Sequence, residues 1–244
     1  GGDGPLEEAL AQDCLVLPLP VSRDGERLHT PLGREILALE DLWSRLRPGQ
    51  RIFGGQVTAE MVRAVQAQGA VIEDYFRREE LQVRNAVSTA EGAIQRAMER
   101  TDRTLHRMPC LVMGYGRIGK VLSHRLAGLG AIVTVSARKS ADLAWIEAMG
   151  HRAVKTGEAP LEDFRLIFNT IPAPVLGEPQ LRRLREDCLL IDLASAPGGV
   201  DRQAAEALGI SAVQALALPG QAAPRTAAEA IGQTIFTILE EQIQ

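Results

Sequence analysis

The chain has 244 residues, with 27 Lys and Arg against 31 Asp and Glu and a formal net charge of −4. That balance excludes the strongly basic face that nucleic-acid binding requires, and no apolar run approaches the roughly 20 residues of a membrane-spanning helix. Hydrophobic residues make up 45% and aromatics only 4%, so a sizeable core of Leu, Ile, Val and Ala is expected; a prior of about 150 residues per domain suggests one large or two modest domains.

The opening residues carry neither a strand signal nor a basic, apolar leader, so no signal peptide is expected. Residues 14–19 read as a short buried strand ending in the polar loop Ser22-Arg23-Asp24-Gly25. A second strand over 51–55 stops at glycine, and residues 58–68 form a helix with Thr58 as N-cap and Met61, Val62 and Val65 as its apolar stripe. Gly69 closes that helix before a third strand over 70–74. Strands alternating with a helix predict a small parallel α/β domain over 1–87. Its strand complement is low for such a domain, so it is expected to be incomplete at its start.

Ser88-Thr89-Ala90-Glu91 matches a capping box. It predicts a helix beginning at Ser88, carrying Ala90, Ala93, Ile94, Ala97 and Met98, that connects two domains. From Cys110 the pattern becomes regular. Strands are expected over 110–113, 131–136, 166–169, 188–193 and 212–215, and helices over 117–129, 141–149, 181–185 and 204–208. Repeated strand-helix units with short loops predict a doubly wound parallel sheet over 88–224. A last helix over 226–242, with Ala227, Ala230, Ile231, Thr234, Ile235 and Ile238 on one stripe, is expected to pack back on the first domain as part of a 225–244 segment. The fold class is thus α/β with two Rossmann-like domains. The cysteines, Cys14, Cys110 and Cys188, each open an apolar run and show no metal-ligand spacing, so they read as reduced core thiols and no metal is expected.

Gly114-Tyr115-Gly116-Arg117-Ile118-Gly119 follows an apolar strand and opens an amphipathic helix, the context in which GxGxxG binds a dinucleotide. Gly114 allows the tight turn, Gly116 lets backbone approach a diphosphate, and Gly119 lets helix and strand lie close. The helix start at Arg117 and Ile118 offers free N–H groups and a positive dipole end. About 20 residues on, NAD enzymes place a carboxylate on the ribose 2′-hydroxyl. Here stand Ser136, Arg138, Lys139 and Ser140, with no carboxylate. Two cations and two hydroxyls suit a 2′-phosphate, so NADP is expected over NAD. The loops Asn169-Thr170-Ile171-Pro172 and Asp192-Leu193-Ala194-Ser195 follow later strands and should line the crevice beside the nicotinamide. Thr170 and Pro172 are read as cofactor contacts, and Asn169 and Ser195 as the polar side chains nearest the chemistry.

These motifs resemble the A-subunit family of bacterial dipicolinate synthases. The most specific stretches are 85–94, 112–119, 137–144, 169–172, 192–195 with Pro197-Gly198-Gly199, and 218–220 with 224–227. The resemblance implies an oxidoreductase that converts a dihydrodipicolinate-type ring to dipicolinate, the calcium chelator of endospores, with NADP as hydride acceptor. It also implies a second, flavoprotein-like subunit, together with a place in the mother-cell cytoplasm of a sporulating bacterium; self-association stays open. Departures are Ala196, where some members carry arginine, and Ala217, where glycine is common.

Such a substrate carries two carboxylates, for which arginine gives a planar bidentate grip. Arg23, Arg78 and Arg225, at loops or helix starts, are the candidates. Aromatisation supplies driving force, so a strong general base is not required. A D-2-hydroxy-acid dehydrogenase shares the two-domain plan but needs a histidine base in its carboxyl-terminal part. The four histidines here end at His151, which counts against that rival. A non-catalytic NADP-binding subunit is the alternative from another class.

Overall fold

A computed structural model describes residues 6–30, 33 and 36–242. The chain divides into two compact units, Gly1–Gln82 with Glu229–Gln244, and Val83–Ala228.

In the first unit, α1 (Leu6–Leu10), β1 (Cys14–Val16), α2 (Leu39–Ser44), β2 (Arg51–Gly54), α3 (Ala59–Ala67) and β3 (Val71–Asp74) follow in order. The strands form a parallel sheet, β1-β2-β3, with Leu15, Ile52 and Ile72 in register. Those three side chains bury one face of the sheet with Leu42, Trp43, Met61 and Val65. The other face buries Phe53 against Tyr75 and Leu81, and against Ala230, Ile235 and Ile238 of the last helix. Thr58 caps α3 by accepting from Met61 N at 3.3 Å. Asp74 organises the neighbouring turns, since its carboxylate accepts the backbone N–H groups of Gln56, Val57 and Phe76. The short helices α1 and α2 span fewer than two turns each, too little for an apolar period to show.

A long helix, α4 (Glu79–Arg100), crosses the boundary between the units. It starts well before Ser88, so the expected capping box does not form. Ser88 is instead a buried mid-helix residue, and Thr89 Oγ1 donates to Asn85 O at 2.7 Å. A hydroxyl that bonds back to the carbonyl four residues earlier stays within a helix rather than starting one. Glu79 and Glu80 occupy the true first turn, where the helix dipole favours carboxylates.

The second unit contains β4 (Pro109–Met113), α5 (Arg117–Gly128), β5 (Ile132–Ala137), α6 (Ser140–Ala148), β6 (Arg152–Lys155), β7 (Leu166–Asn169), α7 (Glu178–Leu181), β8 (Leu189–Asp192), α8 (Arg202–Ala207), β9 (Ser211–Gln214) and α9 (Leu218–Ala222). The helix α10 (Pro224–Glu241) follows. Six parallel strands run in the order β6-β5-β4-β7-β8-β9. This is the doubly wound order, and it reverses direction between β4 and β7, which is where such sheets hold ligands. Cys110, Val112, Leu122, Val135 and Ile146 fill one layer with Ala90, Ala93 and Ala97 of α4. Leu111, Met113, Ile167, Leu190 and Ala205 fill the other. β7 and β8 are buried throughout, as central strands of a parallel sheet must be. The edge strand β6 has exposed Arg152 and Lys155 around the partly buried Ala153 and Val154, and so carries little hydrophobic signal. The fold is therefore α/β, with two parallel Rossmann-like sheets.

Cys110 and Cys188 are core thiols, and burial pushes both pKa values up to about 12. Cys14 is exposed, which corrects the reading of all three as core: its side chain alternates away from the buried Leu15. Ala217 adopts the left-handed conformation, with φ at 54°. Glycine holds that conformation without the Cβ cost. Ala217→Gly is expected to raise stability by about 0.5–1 kcal/mol, net of glycine's larger unfolded-state entropy. A thermal or urea melt checks this, and a destabilised variant would refute it.

Candidate cofactor and active site

The three glycines of the loop after β4 have different reasons to lack a side chain. Gly114 has φ +97, and a Cβ there would stand 2.5 Å from Thr170 Oγ1. A Cβ on Gly119 would lie 2.1 Å from the carbonyl oxygen of Gly114, so that glycine sets how closely α5 can approach its strand. A Cβ on Gly116 meets nothing within 4 Å, and its φ is an ordinary −79°. Among the described residues nothing requires glycine at 116. The open space lies at the N-terminus of α5, where no side chain caps the helix. The positive end of the helix dipole faces that space, and an anionic diphosphate matches it.

The next loop is adjacent, because Gly114 N donates to Ser136 O at 2.9 Å. Arg138, Lys139 and Ser140 are exposed at its tip. Arg117 and Lys120 are exposed on the first turn of α5, and the Lys120 ammonium sits 5.5 Å from the centre of the Tyr115 ring. Burial, with a smaller effect of the Asp142 charge, raises the Tyr115 pKa. Ile118 packs partly into the core. Ser136 differs from its neighbours. It lies inside β5, only 1% exposed, and its Oγ has no hydrogen-bond partner among the described residues. A group so enclosed does not present a donor at the loop surface, which corrects its reading as a phosphate ligand.

On the other side of the switch point, Thr170 donates from both its backbone N–H and its hydroxyl to Met113 O, each at 2.9 Å. Pro172 is exposed. Asn169 is fully buried, and its amide donates to Asp192 Oδ1 at 2.8 Å and to Ile171 O at 3.1 Å. Its own Oδ1 accepts from Ile171 N at 3.1 Å. The side chain read as a reacting-site contact is thus engaged within the protein. Ser195 is exposed on the loop after β8. Asp192 is the residue that sequence reasoning left without a role, though a lone carboxylate closing a wholly apolar strand is a visible signal.

The candidate substrate arginines are separate cases. Arg23 is exposed on the loop after β1. Arg225 is exposed at the start of α10 and interacts with other groups of the protein. Arg78 is committed: Nη1 and Nη2 donate to the two carboxylate oxygens of Glu241 at 2.7 and 2.8 Å, and Nε donates to Glu80 at 2.7 Å. Its whole fork is used in holding the end of α10, which removes it as a free carboxylate clamp.

No family model matches the chain. Among individual proteins, it is 34% identical over 233 residues to the A subunit of dipicolinate synthase of Bacillus subtilis (strain 168), covering 94% of this chain and 78% of that protein. The chain belongs to the dipicolinate synthase A family. The crystal structure of the A chain of dipicolinate synthase from Bacillus subtilis matches with a TM-score of 0.85 at 33% identity, covering 94% and 78% of the two chains. A second dipicolinate synthase A structure, from Bacillus halodurans, matches at 0.86 and 30%, covering 95% and 81%. A transhydrogenase from Sinorhizobium meliloti shares the fold at a TM-score of 0.76 and 17% identity, covering 98% and 77%. Four of the stretches that carry the resemblance, 112–119, 137–144, 169–172 and 192–195 with 197–199, stand at or follow the carboxyl ends of β4, β5, β7 and β8 in one sheet. Two others meet through Gly92, whose Cβ would lie 3.0 Å from Ala222 Cβ and 3.2 Å from Leu218 Cβ, so a small residue there lets α9 seat on α4.

Proposed function

We propose that this chain is an oxidoreductase of dipicolinate formation, in which a dihydrodipicolinate-type ring gives a hydride to NADP+ and a proton to water, yielding dipicolinate and NADPH. The observation that carries the reading is the pairing of an open, uncapped helix start at Gly116 with an adjacent loop that presents Arg138 and Lys139 and no carboxylate. Gly114, Gly116, Arg117, Ile118 and Gly119 would hold the diphosphate through backbone N–H groups. Arg138, Lys139 and Ser140 would hold the 2′-phosphate, with bidentate pairing from the guanidinium. Thr170 and Pro172 would border the nicotinamide, and Ser195 is the polar side chain exposed near the reacting ring. Bound NADP would supply the hydride acceptor. The chain's task is then position, which in favourable cases contributes about 7 kcal/mol or more. Arg23 and Arg225 are the arginines proposed for the substrate carboxylates.

The similar protein of Bacillus subtilis is named as one subunit of a synthase. We propose a second, flavoprotein-like subunit for this chain's partner, in the cytoplasm of a sporulating bacterium. No described helix is long and apolar enough to cross a membrane. The full engagement of Asn169 inside the protein favours one second reading, a NADP-binding subunit without chemistry of its own. Mixing the chain with NADP and freshly made dihydrodipicolinate precursor separates the two. The oxidoreductase reading expects NADPH absorbance to grow faster than the spontaneous rate. Tight NADP binding without that growth would leave only the binding role.

A further inference from the structure

The carboxyl ends of β7 and β8 are joined by hydrogen bonds that converge on one buried carboxylate. Asp192 is 5% exposed. Its Oδ1 accepts from Asn169 Nδ2 at 2.8 Å and from Ala194 N at 3.2 Å, and its Oδ2 accepts from Gly199 N at 3.2 Å. The loop carrying Ser195 is therefore pinned at both ends to the same side chain. Gly199 is a meeting point for the neighbouring loop as well, since its carbonyl accepts from Val175 N and Leu176 N at 3.0 and 2.9 Å. A Cβ on Gly199 would fall 2.0 Å from Asn169 Nδ2 and 2.7 Å from Ile171 O, so the loops touch with no room between them. Thr170 continues the path to Met113 beside the glycine loop.

Burying a carboxylate and an amide is costly unless every donor and acceptor is matched, and a matched network specifies one geometry. An apolar pair would close two strand ends as well. We propose that Asp192 is a positioning residue: acting through Asn169 and the Ala194 and Gly199 amides, it locks the loops after β7 and β8 into one rigid edge of the crevice. This rests on the oxidoreductase reading for its catalytic consequence. Hydride transfer depends on that edge, because displacement of the reacting groups by about 1 Å can cost 100-fold. Binding of NADP through the loops after β4 and β5 does not.

Two variants test this by different routes. Asp192→Asn must turn an NH2 toward a backbone N–H or toward the Asn169 amide, leaving a donor facing a donor. Gly199→Ala pushes the loops apart without changing a hydrogen-bonding group. For both, the Kd for NADP is expected to stay within about threefold, with kcat falling about 30-fold or more and KM for the ring substrate changing far less. In Asp192→Asn without cofactor, hydrogen exchange at the Ala194 and Gly199 amides should quicken by about tenfold or more. Folded variants with kcat within about twofold of the parent, or with unchanged exchange, overturn the proposal. So does parallel loss of NADP binding, or failure of both variants to fold, because either makes the pair a general stability element. If the parent itself shows no turnover, the oxidoreductase reading fails, and the exchange comparison alone decides whether Asp192 locks the loops.

Discussion

Arg138→Glu is expected to raise the Kd for NADP by about 100-fold or more while changing that for NAD by no more than about threefold. The arithmetic is electrostatic. A guanidinium beside a phosphate dianion gives a charge-assisted, bidentate pair. A carboxylate in its place removes that pair and adds repulsion, together about 3 kcal/mol in a partly exposed setting. Arg138 and Lys139 are both exposed at the tip of the loop after β5, so the swap strains no packing and stability should hold. NAD lacks the 2′-phosphate, and the glycine loop that would bind its diphosphate is untouched. Parallel titrations with the two dinucleotides give the answer. Equal losses for both, or no loss for either, would mean that the ribose end lies elsewhere.

The parts of this fold that were readable are those whose residues answer to local rules. β4, α5 and β5 follow one another with an apolar strand, glycines at fixed spacing and an amphipathic helix, and the structure places them within a residue or two of expectation. The Thr58 cap was readable for the same reason. Other features depend on partners distant in sequence. Ser88 looks like a helix cap until α4 is seen to run through it. β6 is a strand because Val135 and Ser136 offer it a ladder, not because Arg152-Ala153-Val154-Lys155 alternates. Arg78 looks like a spare cation until Glu241, far along the chain, occupies its fork. The site divides likewise. The glycine loop is local and legible, whereas Asn169 and Asp192 acquire their roles only when β7 and β8 become neighbours.

Gly116→Ala and Gly119→Ala separate a glycine kept for a ligand from one kept for the fold. Alanine at 116 adds a methyl that meets nothing within 4 Å, at a φ any residue adopts. Its thermal midpoint is expected to stay within about 2 °C of the parent, corresponding to less than about 1 kcal/mol. The methyl does enter the space over the first N–H groups of α5, where the diphosphate would have to lie. NADP affinity should therefore fall by about 30-fold or more. Alanine at 119 collides with the Gly114 carbonyl at 2.1 Å. Backbone stands on that side and cannot rotate away, so α5 must lift from β4 and open the layer built on Leu122, Leu126 and Val112. That variant should lose about 3 kcal/mol or more of stability, together with NADP binding. If Gly116→Ala binds NADP as well as the parent does, the open space at the helix start holds no diphosphate. The dinucleotide would then be held away from the start of α5.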